Sequence, residues 1–203
     1  MRKGFGLCCI ILGICCLASS LGLIVYNHLE EGNAQDASKK ILQSVIENLP
    51  DNTREESIRD TSEEDFKLFP EKMLTVQADG YDCIGVLSIP VLELELPVLT
   101  EWSYEKLKTA PCLYFGSYYE KDFVIAAHNY QSHFGRLSEL QPKDLILFTD
   151  VSGKVHGYEV VLLETLPANA TEEMITSGFD LSLYTCTLGG NSRVTVRCNA
   201  VGE

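Results

Sequence analysis

Positive charge is scarce in this sequence, with 16 Lys and Arg against 29 Asp and Glu and a net charge of −13. Nucleic-acid binding needs a basic footprint to neutralise phosphates, so that class is excluded first. No internal repeat and no low-complexity tract is present, which argues against solenoids and fibrous arrays. Tryptophan occurs once, and proline and glycine are ordinary at 7 and 15. Long apolar runs are absent beyond the first thirty residues, so a multi-span membrane protein is excluded. The apolar fraction of 45% and the charged fraction of 22% fit a folded domain of ordinary size plus an appendage.

One stretch lacks charge altogether. Residues 5–26 hold no Asp, Glu, Lys or Arg and follow Arg2 and Lys3. As a helix this run reaches about 33 Å, enough for the roughly 30 Å bilayer core. Signal-peptide cores are typically about 7–15 residues, and here the apolar sequence continues past the small residues Ala18, Ser19 and Ser20. The expectation is an uncleaved single-pass anchor with a cytoplasmic N-terminus and everything from His28 outside the membrane. The part beyond the anchor then carries 14 basic and 29 acidic residues, net −15.

The chain divides at shifts of composition. Residues 1–27 form a cytoplasmic stub and anchor, 28–79 an acidic helical linker, and 80–203 a strand-rich domain. In the linker Ala37, Ile41, Leu42, Val45, Ile46 and Leu49 recur at three- and four-residue spacing, predicting an amphipathic helix that ends at Pro50. The charged stretch 51–65 reads as a solvated spacer, with a short helix near 63–68. Strands are expected at 84–90, 92–99, 123–127, 145–149, 158–163, 181–185 and 194–198, with a hairpin turn at Asp150–Gly153 and short helices at 103–109 and 171–176. Many short strands at this spacing point to a barrel or sandwich.

Four of the eight cysteines, Cys8, Cys9, Cys15 and Cys16, fall in the anchor and read as packing. Cys83, Cys112, Cys186 and Cys198 lie beyond it. They allow two disulfides or one reactive thiol with inert companions, and a domain of roughly 120 residues buries its core without staples. His128 closes the apolar strand 123–127. Cys186 ends the run 181–185 before a loop of turn formers, and Arg193 opens the last strand. Strands 181–186 and 193–198 paired as a hairpin bring Cys186 and Arg193 to one end, although spacing alone leaves open whether the two share a face. Such a trio has a coherent chemistry. A thiolate attacks, an imidazole shuttles the proton, and a guanidinium steadies a developing oxyanion.

These residues resemble the sortase family. Ser182-Leu183-Tyr184-Thr185-Cys186 resembles its TLxTC signature, with Ser182 in place of the usual Thr. Ala127-His128-Asn129 resembles the segment bearing the catalytic His, and Arg193 matches the Arg opening the final strand. Gly85 to Pro90 and Leu94 to Val98 resemble the opening strands, and the likeness covers about residues 80–201 plus the anchor. The resemblance implies an all-β fold: a closed eight-stranded β-barrel with short helices, preceded by a transmembrane helix and a helical linker. It implies a cysteine transpeptidase outside the cell membrane that cleaves an LPXTG-like sorting signal through an acyl-enzyme thioester. The partners would be sorting-signal proteins and an amine acceptor on a cell-wall precursor or surface protein, with no cofactor and no metal. Cys186 is then the nucleophile, His128 the general acid/base, and Arg193 the oxyanion or substrate stabiliser. Thr185 and Arg197 are the expected substrate-contacting neighbours. Glu172 and Glu173 lack a convergent set of oxygen donors and read as a solvated helix start. Neither a second hydrophobic segment near the C-terminus nor an Asp-Pro-aromatic motif before the barrel is found, and both features count against a pilin-polymerising member. The competing reading is a non-catalytic, membrane-tethered barrel that binds extracellular peptides.

Overall fold

The structure is a computed structural model that describes residues 2–50 and 73–202, with side chains from Ile10 onward. The short helix expected near 63–68 lies outside the described residues. Helix α1 (Arg2–Asn48) runs unbroken for 47 residues, about 70 Å. The anchor and the amphipathic helix expected as separate pieces are one element. Residues 27–36 contain no proline and only one glycine, Gly32, so nothing there stops the helix. Its two halves differ in surroundings. Ile10, Leu17 and Tyr26 are 61%, 71% and 57% exposed, and by length and composition the helix can cross a membrane. Further on, Ala34, Ser38, Ile41 and Val45 are buried at four- and three-residue spacing, one stripe seated on the folded domain. Full burial of Ile41 and Val45 contributes about 2 kcal/mol each. This half of the linker is therefore part of the domain's packing.

Nine strands follow among the described residues: β1 (Val76–Ala78), β2 (Tyr81–Ile89), β3 (Leu94–Leu99), β4 (Cys112–Phe115), β5 (Phe123–Ala126), β6 (Leu145–Asp150), β7 (Val155–Pro167), β8 (Leu181–Cys186) and β9 (Ser192–Ala200). Two short helices intervene, α2 (Tyr104–Leu107), capped by the Ser103 hydroxyl, and α3 (Thr171–Ile175). The strand order is β2-β3-β4-β5-β8-β9-β7-β6, and β6 pairs back onto β2. This closes an eight-stranded barrel, with β1 added to β2 outside the ring. Closure removes the exposed sheet edges that invite aggregation. Strands β1 and β4, absent from the sequence reading, are three and four residues long. Pieces that short carry no alternation to recognise.

The barrel is filled by Ile84, Leu87, Phe123, Ile125, Leu181, Leu183, Val196 and Cys198, among others. A second apolar layer lies outside the wall. There Ile41 and Val45 of α1, Leu107 of α2 and Met174 of α3 cover Val86, Leu99, Cys112, Val124, Ala126 and Tyr184. Leu99 pairs with Cys83 on one side and Cys112 on the other, so those two thiols stand two strand spacings apart, about 9–10 Å. That is beyond disulfide reach. Both are free, as are Cys186 and Cys198. Burial pushes the Cys83, Cys112 and Cys198 thiols up to about 12, leaving them inert at neutral pH.

Closure depends on Gly85. It sits at the irregularity in the β2–β3 register and pairs with Asp150 across the β2–β6 seam. A Cβ there would overlap the Thr149 carbonyl oxygen, and the backbone cannot give without opening the seam. Gly85→Ala is expected to destabilise the domain by about 3 kcal/mol, read as a lower denaturation midpoint in urea. A midpoint equal to that of the wild type would contradict this account of closure.

Candidate active site

Three adjacent strands carry the residues singled out from the sequence. Strands β5 and β8 are parallel, with Ala126 level with Tyr184. The alignment continues one residue further, because the Ala127 amide donates to the Tyr184 carbonyl (3.2 Å) and the Thr185 hydroxyl donates to the Ala127 carbonyl (2.9 Å). His128 therefore comes level with Cys186 on the neighbouring strand, about 5 Å away between backbones. On the other side Cys186 pairs directly with Arg193 across the antiparallel β8–β9 ladder. Side chains alternate along a strand. Val124, Ala126 and His128 share a face, as do Ser182, Tyr184 and Cys186, and Arg193, Thr195 and Arg197. Val124, Ala126 and Tyr184 belong to the outer layer, not the barrel interior. Cys186 and Arg193 thus leave the wall on its outer side, and His128 stands two residues past the end of the neighbouring strand β5.

His128 opens a tight loop that folds back on it. The Phe134 amide donates to the His128 carbonyl, and the His133 and Gly135 amides donate to the Tyr130 carbonyl. A Cβ at Gly135 would collide with the Asn129 and Tyr130 carbonyls, so only glycine lets the loop close this tightly. The Tyr130 ring stacks on the His128 imidazole at 4.1 Å between centroids and 14° between planes. Burial pushes the imidazole below its ordinary value and Lys108 adds to this, while Asn129 and the Glu30 carboxylate oppose it. Burial thus favours the uncharged ring, the form that accepts a proton. Cys186 is half-buried and lines a cleft of about 420 Å³ with Asn129, Gln131, Thr187 and Leu188. Arg193 bends over the β8–β9 loop and donates to the Gly190 and Ser192 carbonyls.

A second recess of about 190 Å³ lies on Arg193's other flank, walled by Trp102, Tyr104, Tyr114, Met174 and Tyr184. Its rings meet edge to face: Trp102–Tyr104 at 4.9 Å, Trp102–Tyr114 at 5.9 Å and Tyr114–Tyr184 at 5.2 Å. Such a surface suits apolar and proline-like groups. The sequence reading did not single out these aromatics. The one available signal was the crowding of Trp102, Tyr104, Tyr114, Phe115, Tyr118 and Tyr119 into a short span.

Two expected neighbours fare differently. Thr185 points to the opposite side of β8 from Cys186 and is buried, and its hydroxyl is spent on Ala127. It holds β8 to β5 and forms part of the cleft wall. Arg197 was expected beside the substrate because it shares a face with Arg193, and it does share that face. It lies level with Ser182, however, four residues from the Cys186 end. It is 2% exposed, ion-paired to Glu164 at 2.7 Å, and bonded to the Ser182 hydroxyl and the Glu173 and Met174 carbonyls. With its donors engaged beneath α3, it anchors that helix and is not positioned for substrate.

A closed eight-stranded barrel bearing a half-buried cysteine between a histidine and an arginine defines the class of this protein. The sortase-domain family model matches residues 87–201, more than half of the chain, and the chain belongs to the sortase family. Among solved structures it is similar to sortase A from Corynebacterium diphtheriae, with 20% identity, 61% of this chain and 62% of that chain covered, and a TM-score of 0.54. It is similar to sortase C1 from Streptococcus agalactiae, with 25% identity, 62% and 70% covered, and a TM-score of 0.54. A Clostridium perfringens sortase D5 transpeptidase gives 19%, 60% and 80%, and 0.53. The chain spans less than two thirds of the Corynebacterium chain. Members labelled A, C and D score alike, so the barrel does not select a subclass. No curated protein matches in sequence.

The site loop also holds a buried base. His133 is fully buried, and among the described residues both of its ring nitrogens lack a hydrogen-bond partner. Burial lowers it to about 4, with a smaller push from His128. The unfolded chain takes up a proton at about 6.5 that the folded state refuses. Stability is therefore complete above that pH and falls as the pH drops toward 4. Between pH 7.5 and pH 5 this histidine should cost the wild type about 2 kcal/mol. Urea melts of His133→Phe should show a pH dependence smaller by that amount. An identical pH dependence would contradict it.

Proposed function

We propose that this protein is a membrane-anchored cysteine transpeptidase that cleaves an LPXTG-like sorting signal and transfers the acyl part to an amine on a cell-wall precursor or surface protein. The observation that supports the reading is the pairing of Cys186 with Arg193 across the β8–β9 ladder, with His128 two residues past the end of the neighbouring strand β5. In the first half-reaction the Cys186 sulfur bonds to the scissile carbonyl carbon and its proton passes to the His128 imidazole. Arg193 donates to the oxygen as it gains charge. The C–N bond then breaks, His128 returns the proton to the departing amine, and a thioester remains. An incoming amine adds to that carbonyl, loses its proton through His128 and expels the Cys186 sulfur, which recovers the proton. The aromatic recess beside Arg193 fits the proline-containing part of the signal, and the cleft on the other side of Cys186 leaves room for the acceptor. The anchor helix places the catalytic domain on the outer side of the cell membrane, by the basic residues at its N-terminus.

Cys186→Ala is expected to abolish cleavage of an LPXTG-like peptide and the thioester adduct seen by mass spectrometry. Arg193→Ala should lower kcat by about 10²–10³ with the fold intact. Added amine should convert the product from acid to amide. Peptide binding without any adduct on wild-type Cys186 would refute the enzyme and favour a binding barrel.

A further inference from the structure

The catalytic loop is tied to the anchor helix itself. The Glu31 carboxylate accepts the Gln131 backbone N–H at 2.6 Å, across one hundred residues of chain. Gln131 lies between Tyr130, which stacks on His128, and the Phe134 turn that closes on the His128 carbonyl. It also lines the Cys186 cleft. One helical turn before Glu30, the Tyr26 hydroxyl donates to the Glu30 carboxylate (2.9 Å). Burial first, and then the nearby Glu30, Tyr26 and Glu31, push the Tyr130 hydroxyl above its ordinary value. The helix backbone that bears Glu31 is fixed in place, because Ala34, Ser38, Ile41 and Val45 bury the next turns of α1 against the domain.

We propose that Glu31 is a positioning residue for the site, holding the loop that carries His128 in place from the anchor helix. A carboxylate accepting a backbone N–H makes a charge-assisted bond, and it restrains the segment between the imidazole and the cleft wall. The same contact sets the height of the cleft. Glu31 is five residues past Tyr26, about 7.5 Å along the helix axis. With residues 5–26 in a bilayer, Gln131 and the cleft mouth stand at the level of the lipid headgroups, a layer about 5–8 Å deep on each side. The reacting carbonyl and the acceptor amine are then met at the membrane surface.

The activity arm of the test rests on the transpeptidase reading, and the exchange arm does not. Full-length wild type, Glu31→Ala and Glu31→Gln are compared in phospholipid nanodiscs by hydrogen exchange, thermal melting and turnover of an LPXTG-like peptide. In Glu31→Ala, exchange at the Gln131 amide should rise about tenfold and kcat fall about tenfold, since small misplacements of catalytic groups are costly. KM and the melting temperature should stay near wild type. Glu31→Gln keeps an acceptor oxygen and should recover most of both losses. Unchanged Gln131 exchange in Glu31→Ala overturns the proposal, as does faster exchange with unaltered kcat, or no rescue by Glu31→Gln. A wild type that does not turn over refutes the transpeptidase reading instead, and the exchange result still decides whether Glu31 holds the loop.

Discussion

The register of β8 against its two neighbours is the constraint on which the site rests. Strand side chains alternate with a period of two, so a slip of one residue would send Cys186 into the barrel and Thr185 out of it. The register is held from the interior: Phe123 and Ile125, Leu181 and Leu183, and Val196 and Cys198 are fully buried on three consecutive strands. Moving any one of these strands by a residue would turn its interior side chains out of the barrel, at a cost of about 1.5–3 kcal/mol for each Leu, Ile or Phe displaced. The Thr185 hydroxyl on the Ala127 carbonyl adds a lateral clamp at the level of the site. The core thus sets where the thiol, imidazole and guanidinium emerge, without touching any of them.

The two arginines of β9 show how one strand face serves two purposes. Arg193 stands at the mouth, half-buried, and donates to the Gly190 and Ser192 carbonyls. Arg197 is sealed under α3 with Glu164. Truncating one member of such a pair leaves the other charge without its partner. The planar guanidinium, with donors directed along several axes, suits this bracing role. It joins β9, β8, β7 and α3 at one point, and α3 in turn carries Met174 into the aromatic recess beside Arg193. One arginine therefore shapes the surroundings of the other.

Much of this was legible before any fold was known. The short apolar stretches at 84–90, 123–127, 145–149 and 181–185 mark real strands, filled on the inside by the barrel core and covered in part on the outside by α1, α2 and α3. The uncharged run 5–26 and the stripe through Ile41 and Val45 mark real helix, although nothing local shows that they are one continuous rod. The motifs around His128 and Cys186 were visible as residue types at strand ends. Arg197 misled because parity gives the face of a strand and not the height along it, and four residues in a strand are about 13 Å. The aromatic recess was hidden because its rings come from the β3–α2 loop, α2, β4 and β8, which meet only after the barrel closes.

The amino-acid order by itself determined the chemical inventory, the short apolar stretches that become strands, and an uncharged apolar segment long enough to cross a membrane. These are local properties, set by neighbours a few residues apart. Tertiary structure alone decided which strands lie side by side, and so which of two arginines stands level with the thiol. It also placed three unlinked aromatic segments around one hollow and laid the anchor helix against the histidine loop. Those outcomes depend on packing between residues separated by tens to a hundred positions, where only the shape of a filled core selects one pairing among many.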